Sequence, residues 1–562
     1  MMSDSRYSLW WKLCLDSAIG AKFKRALACA ILILLLPFSS FAQYPINKNV
    51  DVQHYFFSIE LTDSSNEIKG DAEISVLLKN GVKELILDLK NITKEGKGMK
   101  VERITHEDLN VEFSHKNDRL QIDLPAAVDG KNKIRIKYSG IPGEGFIISK
   151  NKYGDRTFFG DNYPDRARNW LPCVDHPSDK ASVSWSVSAP DHYLVVGSGK
   201  LKEETNLGNE MKLTRWEMST PISTKVMVIG VARFAVDYFG EASSTPIQTW
   251  VYPQNRREGF YDFAPALDVV NWFRENVGPY AYDKLANVQS KTTYGGMENA
   301  SNIFYTENAV TGKREGEGLI VHEIAHQWFG NSATEADWPH AWLSEGFATY
   351  FTHLYNESTY GRDIMVAGLK EDRKAVIDYW KRTPLPVVNT SLLSFPTIMN
   401  LRELLSTNTY EKGGWILHML RKKLGDKIFW SAIKAYYAKY MNGIATTNDF
   451  KAIAEQESGL DLTQFFKQWL YEGGQPELTG SWHYQKGEVQ VQLAQVQDQL
   501  FIADVEIGIV DEHGAMTLMV VTLDGRSSAG KLKFQAKPVR VIIDPSTWLL
   551  YDGPGELTFE GE

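Results

Sequence analysis

Two histidines four residues apart, His322 and His326, flank a glutamate, Glu323, in the run His-Glu-Ile-Ala-His. On a helix, positions i and i+4 lie on one face a single turn apart, so both imidazoles can reach one metal ion. The glutamate between them points toward a water on that ion, where a general base would be needed. The flanks suit a helix, since Leu319, Ile320, Ala325, Trp328 and Phe329 fall at apolar spacing and Gly330 suits a C-terminal cap. Five residues alone are a moderate signal, because a buried helix with ordinary histidines carries the same pattern.

A third ligand separates the two cases. A catalytic zinc commonly takes two histidines and a carboxylate and keeps one position open. Glu345 follows His326 after 18 intervening residues and opens a second helical run, Trp342-Leu343-Ser344-Glu345-Gly346-Phe347-Ala348. Glu345 and Asp337 are the acids best placed to return to the histidines. Glu345 sits among Trp, Leu, Phe and Tyr, and a charge in apolar company needs a partner such as a metal. Upstream, Gly295-Gly296-Met297-Glu298-Asn299 follows Tyr294. Two glycines let a backbone approach a ligand closely, and Glu298 can present a carboxylate beside it, although paired glycines also make plain turns.

The elements that must hold these groups follow from periodicity. From Val50 to about Gly240 the chain alternates apolar and polar residues, as in His54–Leu61, Ala72–Leu77 and Ser182–Val187, which predicts a large antiparallel sandwich or saddle. Near Pro265 the period becomes helical, with segments around Leu267–Asn276, Gly318–Phe329, Trp342–Tyr355, Glu411–Leu424 and Lys427–Tyr440. Thr447 is expected to cap a helix over Asp449–Glu457 that Gly459 ends. Alternation returns after Pro476, in Glu488–Leu493 and Val539–Ile543, and predicts a small β-sandwich. The expected organisation is α+β and multidomain: a leader over 1–42, an N-terminal β domain over 43–240, a mostly helical domain over 241–474 and a C-terminal β-sandwich over 475–562.

A chain of 562 residues exceeds what one core usually supports, and 43% hydrophobic with 23% charged residues is ordinary for a globular protein. A formal net charge of −9 gives no electrostatic support for a nucleic-acid partner. Lys22, Lys24 and Arg25 precede an apolar run from Ala26 to Phe38, and Ser39-Ser40-Phe41-Ala42 supplies small residues for cleavage. That is the layout of a secretory signal, too short to span a bilayer as a helix. Cleavage after Ala42 would leave no stable membrane insertion and would remove Cys14 and Cys29, so Cys173 has no disulfide partner within the chain. The periplasm or the cell exterior is the expected address.

Taken together, Gly295-Gly296-Met297-Glu298-Asn299, His322-Glu-Ile-Ala-His-Gln-Trp-Phe-Gly-Asn331 and Trp342-Leu-Ser-Glu-Gly-Phe-Ala348 resemble the aminopeptidase N family of zinc metallopeptidases, in its short three-domain bacterial form. The resemblance covers essentially the whole chain after the leader. Pro172-Cys-Val-Asp-His-Pro-Ser-Asp-Lys-Ala181 looks like the family's N-domain signature, with His176 in place of a Glu. The resemblance implies an N-terminal β-saddle, a thermolysin-like catalytic domain and one Zn2+ per chain held by His322, His326 and Glu345. It implies Glu323 as general base and Tyr410, in Tyr410-Glu411-Lys412-Gly413, as the hydroxyl that stabilises an oxyanion. It implies that Gly295, Gly296, Met297, Glu298 and Asn299 bind a peptide, with Glu298 on its free α-amine. The partners implied are peptides with a free N-terminus.

Two departures stand out. Many relatives carry Ala where Gly296 stands. The family's second amine-binding acid or amide falls at Tyr163 here, so Asp161 or Asn162 next to it is expected to assist. A lipid-epoxide hydrolase of the bifunctional branch is a competing expectation, opposed by Arg402 where that branch carries an Asp. An inactive peptide-binding protein is another, opposed by a complete set of ligands and base.

Overall fold

Alternation in Val50–Glu60 becomes a strand that buries Val52, Tyr55, Phe57 and Ile59 on one face. In this computed structural model, which describes residues 47–389 and 405–560, that strand lies inside a nine-stranded sheet. It pairs antiparallel with Ile68–Asp88 and parallel with Lys180–Pro190, so the sheet is mixed rather than purely antiparallel. A four-stranded sheet, with Arg156–Gly160 and Ile229–Ala232 at its centre, completes the N-terminal β-rich domain. Trp170 and Trp185 stack at 5.7 Å in its core. The proposed leader and Arg402 lie outside the described residues.

The expected boundary at residue 240 falls inside the strand Ala235–Ala242, which pairs with Thr245–Val251 in a five-stranded sheet. That sheet continues through Leu285–Ser290 and Asn302–Thr306 to the edge strand Gly296–Met297, and it belongs with the helical catalytic domain. Helices Ala266–Asn276, Glu317–Ala325, Trp342–Tyr360, Gly413–Leu424 and Asp426–Tyr440 match the periodic segments. Helix Arg362–Trp380, not among the periodic segments named above, buries only Met365, Leu369 and Val376 on one face. Thr446, not Thr447, caps the helix Thr447–Ser458 through a capping box with Asp449. Thr447 instead accepts from Trp342 Nε1 at 2.8 Å.

After Pro476 two sheets of four and three strands form the C-terminal β region, whose core is continuous with that of the catalytic helices. Two lysines, Lys180 half-buried and Lys225 buried, pin the N-terminal domain onto the catalytic one. Lys180, in the Pro172–Ala181 signature, donates to the carbonyls of Asn331, Ser332 and Gly443 and to Thr334 Oγ1 at 2.7–3.2 Å. Lys225 forms an ion pair with Glu335, both essentially without solvent exposure.

Candidate active site

Helix Glu317–Ala325 buries Ile320, Val321, Ile324 and Ala325, which turns His322 and Glu323 toward a cleft of about 540 Å³. His326 follows at the helix end, still in helical conformation, so the one-turn spacing holds. The two Nε2 atoms converge to 3.1 Å. Glu345, in the first turn of Trp342–Tyr360, brings Oε2 to 3.1 Å from His326 Nε2 and 3.6 Å from His322 Nε2. Asp337, the other acid considered, instead pairs with His176 at 3.5 Å and accepts from Trp338 N.

The donor set fits a zinc ion. Glu345 Oε2 is buried and has no hydrogen-bond partner, although it faces two imidazoles. His326 Nδ1 lies 3.2 Å from the Phe329 carbonyl and 3.0 Å from Ser344 Oγ. A proton on Nδ1 shared with that carbonyl leaves the Nε2 lone pair free for a metal. Two nitrogens and one carboxylate oxygen, all within 4.8 Å of one another, are the usual ligands of an open catalytic zinc.

Glu298 comes to this cluster from the edge strand. Gly296 and Met297 pair with Tyr305 and Phe304, and the Glu298 carbonyl accepts from Gln327 Nε2 at 2.9 Å and Asn331 Nδ2 at 2.5 Å. Gln327 and Asn331 thus tie the edge strand to the ligand helix; the sequence offered them only as motif letters, with no role. Glu298 Oε1 is buried without a partner. Gly296 packs on Glu323: a Cβ there would sit 2.3 Å from Glu323 Oε1, so the hydrogen side chain makes room for the carboxylate.

Tyr410 enters through a π-helical turn, Asn408–Lys412, just before Gly413–Leu424. Gly346 and Gly413 let the two helices touch backbone to backbone, since a Cβ on Gly346 would lie 2.8 Å from Gly413 Cα. That contact sets the Tyr410 ring nearly parallel to His322 at 6.0 Å. At the other end of the cleft, Thr349, Thr352 and His353 continue the face of the Glu345 helix, and His353 Nε2 meets Asp372 at 2.7 Å.

Two expected substrate residues lie elsewhere. Asp161 does not line the cleft: it is fully buried, paired with Arg166 at 3.0 Å and accepting from Thr293 Oγ1 at 2.6 Å. Asn299 also turns into the interior and is fully buried. Asn162 is committed to the carbonyls of Thr224 and Met227 and to Trp170 Nε1. Tyr163 itself reaches the cleft, its hydroxyl donating to Glu345 Oε1 at 3.2 Å.

Three buried carboxylates around two imidazoles leave the cluster short of positive charge. Burial pushes Glu298 up to about 7, with Glu345 adding repulsion against the pull of His326. Burial also pushes Glu323 well above the carboxylate range, helped by Glu298 and Glu345. Burial opposes a charge on His326, yet Glu345, Glu298 and Glu323 outweigh it and push that group up to about 10. A cation is what such a set lacks.

The pattern described as the peptidase M1 N-terminal domain matches residues 50–226, and that described as the peptidase family M1 domain matches residues 262–469. Aminopeptidase M1-B of Oryza sativa subsp. japonica is 26% identical over 72% of this chain and 48% of its own length. Leukotriene A-4 hydrolase of Xenopus laevis is 24% identical over 78% of this chain and 73% of its own. Human glutamyl aminopeptidase is 27% identical over 57% of this chain and 34% of its own. The chain therefore spans about half or less of the length of two of these relatives. A crystal structure of an M1 zinc metallopeptidase mutant from Deinococcus radiodurans superposes with a TM-score of 0.63 and 22% identity, over 76% of this chain and 96% of that one. Two domain patterns of one family, in order along the chain and the second of them containing the His322, His326 and Glu345 cluster, establish that this chain belongs to peptidase family M1.

Proposed function

We propose that the protein is an aminopeptidase that holds one zinc ion per chain at His322, His326 and Glu345 and removes the N-terminal residue of peptides. The observation that carries this reading is Glu298, a buried carboxylate with an unpartnered oxygen beside the ligand cluster. When bound, zinc supplies Lewis acidity to water and to the scissile carbonyl. Glu298 pairs with the substrate's α-ammonium and so fixes the scissile bond one residue from the chain end. The strand Gly296–Met297 is the sheet edge, and among the described residues no strand pairs with its outer side, where an extended peptide can align. Glu323 takes the proton of the attacking water and delivers it to the leaving amine. The Tyr410 hydroxyl, protonated because burial and the surrounding carboxylates raise its pKa, donates to the oxyanion.

The relatives named aminopeptidases support the reaction class. Export is proposed on the leader layout at 22–42 and is checked by N-terminal sequencing of the mature chain. Among the described residues, no helix is long and apolar enough to cross a membrane. The deciding assay uses aminoacyl-p-nitroanilides, their N-acetylated forms and 1,10-phenanthroline. Free-amine substrates should be cleaved, acetylated ones refused, and the chelator should abolish turnover. Equal cleavage of acetylated substrates would remove the exopeptidase reading, and turnover unaffected by chelation would remove zinc.

A further inference from the structure

The two oxygens of Glu345 have different surroundings. Oε2 faces both imidazoles and lacks a hydrogen-bond partner, whereas Oε1 accepts from the Tyr163 hydroxyl at 3.2 Å. That hydroxyl comes from the N-terminal domain, 182 positions away in the chain. We propose that Tyr163 is a positioning residue for the metal: it takes one oxygen of Glu345 and leaves the other directed at zinc, so that the N-terminal domain sets zinc retention. The inference rests on the zinc site proposed above and deepens it.

Tyr163 is held as a positioning group must be. Its side chain is 3% exposed, and its ring meets Trp338 edge to face at 6.0 Å. The Lys225 ammonium lies 5.2 Å from the ring and is itself anchored by Glu335 of the catalytic domain. Below it, Arg166 Nε donates to the Tyr163 carbonyl at 2.8 Å while its Nη2 pairs with Asp161. Asp161 therefore supports the tyrosine's loop from behind rather than meeting a substrate. Ring, backbone and hydroxyl are thus each fixed by separate partners, and only the hydroxyl touches a ligand. A donor that orients a metal-bound carboxylate typically changes metal affinity about 10- to 100-fold when removed.

The test is Tyr163→Phe in the full chain, which deletes the hydroxyl and keeps the ring against Trp338. Zinc affinity is measured by competition with a chelator of known affinity, and kcat and KM for alanyl-p-nitroanilide are measured at saturating zinc. The zinc-free melting temperature serves as the folding control. The expected result is a zinc dissociation constant raised at least about 10-fold, with KM and the zinc-free melting temperature unchanged. Zinc affinity within twofold of wild type would overturn the inference, and so would a raised KM at unchanged zinc affinity, which would put Tyr163 on the substrate amine. A wild-type chain that binds no zinc would instead refute the zinc site itself.

Discussion

Replacing Glu298 by glutamine removes one negative charge from the cluster and leaves its geometry in place. The backbone of residue 298 is held by Gln327 and Asn331 through the carbonyl, so the side-chain change does not release the strand. Glu298 is 4% exposed and its Oε1 has no protein partner, so a substrate ammonium there would form a desolvated charge pair. Truncating one side of such a pair costs about 2–5 kcal/mol. Glutamine still offers an accepting oxygen, which puts the expected loss at the low end, about 2 kcal/mol or roughly 30-fold in kcat/KM. An anchor used equally in the ground and transition states shows up mainly in KM. Initial rates on leucyl- and alanyl-p-nitroanilide measure this, with zinc content determined on the same preparation. Zinc content should stay at the wild-type level, because Glu298 lies outside the His322, His326 and Glu345 triad. The preference for free over acetylated amines should shrink together with kcat/KM. A kcat/KM within about threefold of wild type, at full zinc content, would refute the role of Glu298 as the amine anchor.

Other substitutions probe the remaining parts. Glu323→Gln should lower kcat by about 100- to 10,000-fold while zinc stays bound; near wild-type turnover would exclude Glu323 as the base. Gly346→Ala presses a Cβ to 2.8 Å from Gly413 Cα, a backbone atom that cannot swing aside. It should cost about 1–3 kcal/mol of stability and lower kcat by shifting Tyr410, and an unchanged denaturation midpoint would disprove the tight crossing. Lys225→Met leaves Glu335 buried without its cation and should cost about 3–5 kcal/mol in urea denaturation; a loss below about 1 kcal/mol would mean that the pair does not hold the domains together.

Much of the metal site was legible because its geometry is local. His322 and His326 share a helical face by spacing alone, and Glu345 stands out as an acid in an apolar helix. The β, helical, β order was legible too, because periods of two and of 3.6 residues differ in composition over long stretches. The domain boundary was less so: Ala235–Ala242 alternates like the strands before it, and only its pairing with Thr245–Val251 assigns it to the next sheet.

The sequence by itself determined which metal-ligating groups are available: two imidazoles, a glutamate between them and an acid 19 positions past the second imidazole. It also marked Tyr163 as a departure from the family pattern and looked to Asp161 or Asn162 beside it, which the structure places among buried partners. Only the tertiary structure decided what those neighbours do, since a side chain's partner across 182 positions depends on how two domains dock. Tyr410 is the same case. Its approach to His322 follows from a π turn and from two glycines that let helices meet, and neither property leaves a periodic trace along the chain.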